Sequence, residues 1–177
     1  VATPASLADI SADALLLVVH GNAIDGALAP AISSLISDAV ETGDLQLKAG
    51  RSLYLHRPAG VKAARLLVVG AAAASVKSFK SAVAAGLSQL KGSGAKHVAV
   101  AVADANPLTA LHGEALATAA ADATYLYRHT KPSATKPPAM TRFTLVCGKA
   151  QAGDVSAGLQ RGAAIASGVT LARECAN

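Results

Sequence analysis

Short apolar runs recur along the chain, and they predict the strands of a sheet. Residues 14–19 and 65–69 are almost entirely apolar, which is typical of strands covered on both faces by helices. Residues 52–56 alternate leucine with more polar side chains, the period of two that indicates a half-exposed strand. We expect an antiparallel portion of the sheet to contain 45–48 as well as 52–56 and 65–69. Further strands are predicted at 97–102 and 142–147.

Longer stretches with apolar residues three and four positions apart predict helices. Asn106 and Pro107 are suited to the cap and first position of one helix, and Asp154 is suited to the cap of the last. The order β-α-β-β-β-α-β-α-β-α predicts a single domain over residues 1–177, an α/β three-layer sandwich with a mixed sheet. The predicted helices cover residues 26–40, 75–91, 106–128 and 152–177.

The last helix carries an unusual number of glycines on and beside its apolar face. Gly158, Gly162 and Gly168 each lower helix stability by roughly 1 kcal/mol relative to alanine. Close approach of another backbone is the best explanation for small residues at this spacing. We therefore expect these glycines to let the helix pack closely on the sheet.

Composition fits one domain and excludes disorder. The 177 residues are 52% hydrophobic but only 3% aromatic, so the core is built from small aliphatic side chains. The formal charge of +5 is scattered along the chain and by itself establishes no anionic partner. Cys147 and Cys175 form no C-x-x-C pair, which favours a reduced, cytoplasmic protein with buried thiols. The longest apolar run, 14–19, is too short to span a bilayer, so we expect no membrane contact.

The chain is poor in residues that do chemistry. His112-Gly113-Glu114 matches the H-x-E half of a zinc deaminase site, but no P-C-x-x-C follows, so His112 is predicted to be a surface residue of its helix. Glutamate occurs at Glu41, Glu114 and Glu174, on separate helices, and a two-metal site needs several converging carboxylates. The sequence therefore predicts no catalytic residue and no metal ligand.

Two segments are candidates for binding anions. Residues 70–75 lie between a strand and a helix, where small residues admit an anion to the backbone N–H groups. The segment lacks a lysine and the paired-glycine spacing, so tight strand-to-helix packing is the favoured explanation. Arg128, Lys131 and Lys136 belong to a proline-rich loop and are candidate nucleic-acid contacts, with a solvated loop as the alternative. Tyr125 and Tyr127 are able either to stack on bases or to fill the core.

Several segments, taken in order, resemble one family. They are Lys-Ala-Gly-Arg-Ser-Leu-Tyr-Leu at 48–55, Arg-Leu-Leu-Val-Val-Gly at 65–70 and Ala-Thr-Tyr-Leu-Tyr-Arg at 123–128. The closing Gly-Val-Thr-Leu-Ala-Arg-Glu-Cys-Ala-Asn at 168–177 is similar to a linker-helix motif. Together they resemble the N-terminal domain of the cytosolic leucyl aminopeptidases, the M17 peptidase family, over nearly the whole chain.

The resemblance implies a macro-domain-like fold and a hexameric, cytoplasmic parent enzyme that releases N-terminal residues from peptides with two divalent ions, zinc or manganese. The family's metal ligands and catalytic residues fall beyond this chain, so none is carried over. We expect a non-catalytic domain, inactive alone, in which 152–177 starts the linker to a catalytic domain. Two alternatives stay open: a nucleic-acid-binding module, and an ADP-ribose pocket near 20–22 and 70–75.

Overall fold

A computed structural model of the chain describes residues 2–3, 6–21, 28–104, 106–127 and 137–176. The described strands form one sheet in the order β1-β6-β5-β2-β4-β3. β3 pairs antiparallel with β4, and the remaining described pairs are parallel, so the predicted mixed sheet is confirmed. The strands are β1 Ala2–Thr3, β2 Ala14–His20, β3 Ser52–His56, β4 Arg65–Ala71, β5 His97–Val102 and β6 Arg142–Val146.

The helices cover both faces of this sheet, as the predicted three-layer sandwich requires. One hydrophobic cluster joins one sheet face to α2, α3 and the start of α4. A second cluster joins the opposite face to α1. The helices are α1 Pro30–Glu41, α2 Val76–Leu90, α3 Ala110–Thr124 and α4 Ala152–Ala176, with a 3₁₀ turn at Lys149–Gln151 before α4.

Strand β2 lies in the middle of the sheet and is buried on both faces. Leu15 and Leu17 belong to the cluster under α1, while Leu16 and Val18 belong to the cluster under α2 and α3. These side chains are at most 1% exposed. Because each buried aliphatic side chain stabilises the fold by ~1.5–3 kcal/mol, the continuous apolar run of β2 anchors both layers.

The predicted strand at 45–48 is wrong. Leu45 is 2% exposed and packs into the core beneath α1, which explains its apolar character. Its backbone N–H donates to the carbonyl of Ala39, and the N–H of Lys48 donates to the carbonyl of Gln46. These bonds close a turn after α1, so the segment pairs with no strand, and the antiparallel portion of the described sheet is β3 with β4.

Two predicted helix starts are also wrong. Helix α3 begins at Ala110 with Thr109 as its N-cap. Asn106 lies before the helix and donates its side-chain amide to Asp104. Helix α4 follows the 3₁₀ turn directly, which places Asp154 in its first turn rather than at the cap. The described part of α1 begins at Pro30, and the predicted start at 26 lies outside the described residues.

The close helix approach predicted from the glycines occurs, but against α3 and not against the sheet. A Cβ on Gly158 would lie 1.8 Å from the carbonyl oxygen of Ala110, and one on Gly162 would lie 2.7 Å from that of Glu114. The contact is reciprocal, since a Cβ on Gly113 of α3 would lie 2.4 Å from the carbonyl oxygen of Val155. Gly168 has open space around it, so its prediction is wrong.

The two cysteines differ in environment. Cys147 is buried, and burial raises the pKa of its thiol. Cys175 is exposed near the end of α4, so the expectation of two buried thiols is wrong for this residue. None of the helices within the described ranges is both long and apolar enough to cross a membrane.

Candidate functional site

A small cavity lies where three parallel strands end. Its wall includes His20 from the end of β2, Ala71 from the end of β4, and Asp104 just beyond β5. Ser75 at the start of α2 and His112 in the first turn of α3 also line it. The carboxyl edge of a parallel sheet is where α/β folds most often bind ligands, so this cavity is the first candidate site.

Asp104 organises the floor of the cavity. Its side chain is 8% exposed and forms an ion pair with Nε2 of His20, whose side chain is 14% exposed. The same carboxylate accepts hydrogen bonds from the Asn106 side-chain amide at 2.8 Å and from the Asn106 backbone N–H at 3.3 Å. The carboxylate is therefore satisfied by its neighbours, and its first role is to fasten the ends of β2 and β5 together.

His112 is partly buried, and its predicted position as a surface residue is wrong. The backbone N–H of Thr109 donates to its Nδ1 at 3.2 Å, which leaves the proton of the neutral ring on Nε2. Its ring meets that of Phe79 edge-on, with centroids 5.1 Å apart. Burial lowers the pKa of His112, and the Asp104 carboxylate opposes that shift. The neutral ring caps α3 and packs on α2.

The size of the cavity limits what it can bind. The described residues bound a volume of about 70 Å³, whereas small-molecule sites measure roughly 300–1,000 Å³. The predicted ADP-ribose pocket shares His20, Ala71 and Ser75 with this cavity, and the part that the described residues enclose has room for a few water molecules only. Asn22, which was part of that prediction, lies outside the described residues.

The glycine-containing segment after β4 is shaped by packing. A Cβ on Gly70 would lie 2.1 Å from the carbonyl oxygen of Lys48. The backbone at Lys48 can therefore pass this close to the end of β4 only because residue 70 is a glycine. The side chain of Ser75 caps α2 by accepting from the N–H of Ser78 at 3.2 Å. Both observations favour tight strand-to-helix packing over an anion cradle at residues 70–75.

The described residues of the chain form no group of metal ligands. Across the described ranges, no three His, Cys, Asp or Glu side chains lie close enough together to hold a metal ion. Glu41, Glu114 and Glu174 lie on α1, α3 and α4, as expected. Glu114 is occupied by Arg161, whose Nε lies 2.5 Å from its carboxylate.

A second candidate site is an open groove of about 730 Å³ between α3 and α4. Leu116 and Ala120 of α3 form one wall, Ala163 and Leu171 of α4 form the other, and Phe143 of β6 also lines it. The lining is mainly apolar, with a hydroxyl and carboxylate rim contributed by Thr124, Ser167, Thr170 and Glu174. A mainly apolar lining with few charged residues is typical of the core of a protein interface.

The predicted nucleic-acid contacts Arg128, Lys131 and Lys136 lie outside the described residues. Tyr125 and Tyr127 follow the end of α3 and are not part of it. The Arg173 guanidinium lies 5.1 Å from the centroid of the Tyr125 ring, and removal from water together with the Glu174 carboxylate raises the pKa of Tyr125.

Comparison with protein families places the chain in a known group. Residues 14–133 match the N-terminal domain of the cytosol aminopeptidase family. A probable cytosol aminopeptidase of Methylibium petroleiphilum is 56% identical over 172 residues, which is 97% of this chain and 35% of the relative. One from Polaromonas naphthalenivorans is 34% identical over 94% of this chain and 32% of its own length. The chain thus spans about a third of the length of these relatives.

Solved structures agree on the fold. A tomato leucine aminopeptidase variant superposes with a TM-score of 0.77 at 24% identity, covering 98% of this chain and 37% of the other. The bottromycin maturation enzyme BotP superposes with a TM-score of 0.63 at 20% identity. The match covers 93% of this chain and 32% of BotP. At these identities the likeness concerns the fold alone.

Proposed function

Because the chain belongs to the cytosol aminopeptidase family and matches its N-terminal domain, we propose that it is the non-catalytic domain of a metal-dependent leucyl aminopeptidase. The observation that carries the proposal is the ordered match over most of the chain together with its coverage of about a third of each relative. The parent enzyme is then a cytoplasmic hydrolase that releases N-terminal amino acids from peptides.

The chemistry of the parent is proposed to lie in the remaining two thirds. Two bridging divalent ions need several carboxylates at one place, and the described residues bring no three potential ligands together. We therefore assign the two ions, manganese or zinc, to the catalytic domain. This chain supplies no ligand to them and no acid, base or nucleophile to the reaction.

The proposed role of this domain is to support packing between domains and assembly of a hexamer. Helix α4 has 25 residues and is about 37 Å long, and its buried residues are Val155, Gly158 and Gly162. These buried residues lie in its first half, while most side chains of its second half are exposed. This geometry suits residues 152–177 as the start of a linker helix.

Expression of the longer reading frame tests this proposal. The product is expected to hydrolyse leucine p-nitroanilide, to lose the activity on chelation, and to regain it with manganese or zinc. A product of the relatives' length that hydrolyses no aminoacyl anilide with either metal would refute the aminopeptidase assignment. Sizing of the same product by light scattering tests the hexamer.

Nucleic-acid binding is a second proposal, supported by two exposed cations, Arg142 at the start of β6 and Lys149 in the 3₁₀ turn before α4. Phosphate contacts need only such flexible cations, and they weaken steeply with salt. A gel-shift titration of the chain with duplex DNA tests it at increasing salt. Absence of a shift at low salt would end this proposal and leave the aminopeptidase assignment untouched.

A further inference from the structure

In the part of the chain that the structure describes, the distal half of α4 is largely exposed. Among the described residues of α4, those that are buried end at Gly162. Beyond that point Ile165, Val169 and Leu171 are 44%, 40% and 65% exposed. A helix in a globular protein normally packs an apolar stripe against the rest of the fold. The distal half of α4 therefore presents apolar side chains that nothing in the described residues packs over.

The exposed apolar side chains lie on two flanks of α4, and the flanks differ in charge. Ile165 and Val169 line a groove of about 280 Å³ that also contains Lys80, Asp122 and Arg173. Leu171 lines the larger groove of about 730 Å³ on the other flank, where Glu174 is the one charged residue of the lining within the described part of the chain. An apolar partner surface fits the second flank better, because fewer charges would lose their water.

Helices α3 and α4, which form the walls of the larger groove, are joined by two ion pairs and by a close backbone contact. Arg161 pairs with Glu114 at 2.5 Å, and Arg173 pairs with Asp122 at 2.8 Å. The glycine contact around Gly158 prevents the two helices from moving closer. A groove that is already formed binds a partner without paying for its own ordering.

We propose that the catalytic domain of the same polypeptide packs an apolar surface into this groove between α3 and α4. The inference rests on the proposed function, in which about two thirds of the parent follow α4. Leu171 and Glu174 line the groove within the last turns of α4, so the polypeptide that continues from α4 starts beside it. A tethered domain reaches an effective concentration of about millimolar, which favours it over a second copy of this chain.

Cysteine labelling of two adjacent alanines tests the proposal. Ala163 lines the groove, whereas Ala164 lines neither groove, and both are exposed in this domain. Ala163→Cys and the matched control Ala164→Cys are made in a Cys175→Ser background, since Cys175 is the exposed native thiol of the domain. Maleimide labelling rates are then measured in the 177-residue chain and in the product of the longer reading frame.

The expected result is similar labelling of both positions in the 177-residue chain. In the longer product, Ala163→Cys is expected to react about tenfold more slowly than in the chain alone, with Ala164→Cys unchanged. Hydrogen exchange of the unsubstituted proteins is a second measurement, in which amides of the distal half of α4 slow by a similar factor. It guards against a cysteine that itself disturbs docking.

Two results would overturn the inference. Equal labelling of Ala163→Cys in both proteins, with unchanged amide exchange, would show that the groove stays open. Protection in the 177-residue chain that rises with protein concentration would instead identify a second copy as the occupant. Leucine p-nitroanilide hydrolysis by the same longer product separates the proposals: activity without protection removes only the docking surface.

Discussion

A methyl group added at Gly158 probes the contact between α3 and α4 most sharply. The new Cβ would lie 1.8 Å from the carbonyl oxygen of Ala110 and 2.6 Å from its carbonyl carbon. Both atoms are backbone, so no side chain can rotate away. The two helices have to separate by more than an ångström. Gly168→Ala on the same helix is the matched control, because its Cβ would meet nothing within 4 Å.

The structure sets the size of the two effects. Replacing a helical glycine by alanine stabilises by ~1 kcal/mol when space is available, which is the expected gain for Gly168→Ala. Overpacking costs ~1–3 kcal/mol, and rigid backbone places Gly158→Ala at the upper end. Separation of the helices also loosens the contacts of Gly113 and Gly162. We expect a net loss of ~2 kcal/mol for Gly158→Ala, hence ~3 kcal/mol between the variants.

Urea and thermal denaturation followed by circular dichroism measure this difference. For a protein of this size ~3 kcal/mol corresponds to melting temperatures about 6–12 °C apart. Gly168→Ala is expected to melt above the unsubstituted chain and Gly158→Ala below it. If Gly158→Ala were as stable as Gly168→Ala, the close contact of α3 and α4 would be refuted.

Two further predictions concern protons and an ion pair. Burial lowers the pKa of His97 and of His112 below the ordinary value of 6.5, so the unfolded chain binds protons more readily. The contribution of these two neutral imidazoles to stability is therefore fully present above pH 6.5. It is lost as the pH falls through 6.5 toward the pKa values of the folded protein. Thermal melting at pH 7.5 and at pH 5.5 checks this prediction. The variant that carries both His97→Gln and His112→Gln should lose less stability between these pH values than the unsubstituted chain. An equal loss in both proteins would contradict the prediction. Arg161→Ala removes the partly exposed ion pair with Glu114. We expect the free energy of unfolding to fall by ~1 kcal/mol at most, and by less in high salt, because exposed ion pairs contribute little and are screened. A loss of ~3 kcal/mol would contradict this prediction.

The strands of the sheet could be predicted where burial on both faces left a continuous apolar run. The predicted strand 97–102 coincides with β5, and 14–19 and 65–69 lack only the last one or two residues of β2 and β4. The strand predicted at 45–48 is wrong because Leu45 and Leu47, which alternate with polar residues, report burial of their side chains in the core and not pairing of their backbone. Strand β1, two residues long, gave no pattern to recognise.

Contacts between distant parts of the chain were harder to predict. The glycine spacing indicated a close approach, yet the partner is Ala110 of α3 and not the sheet, and Gly168 has no close neighbour. The pairing of His20 with Asp104 depends on β2 and β5 being adjacent. A sequence reading that placed the carboxyl ends of these two strands together would have found it, because residues after neighbouring parallel strands meet at one edge.

We propose that this chain carries the fold of an aminopeptidase N-terminal domain and has no peptidase activity of its own. Hydrolysis of leucine p-nitroanilide by the purified 177-residue chain, with manganese or zinc added, tests it most directly. We predict no hydrolysis above the rate of a metal-only control with either ion. Metal-dependent hydrolysis that co-purifies with the chain and disappears on chelation would contradict the claim.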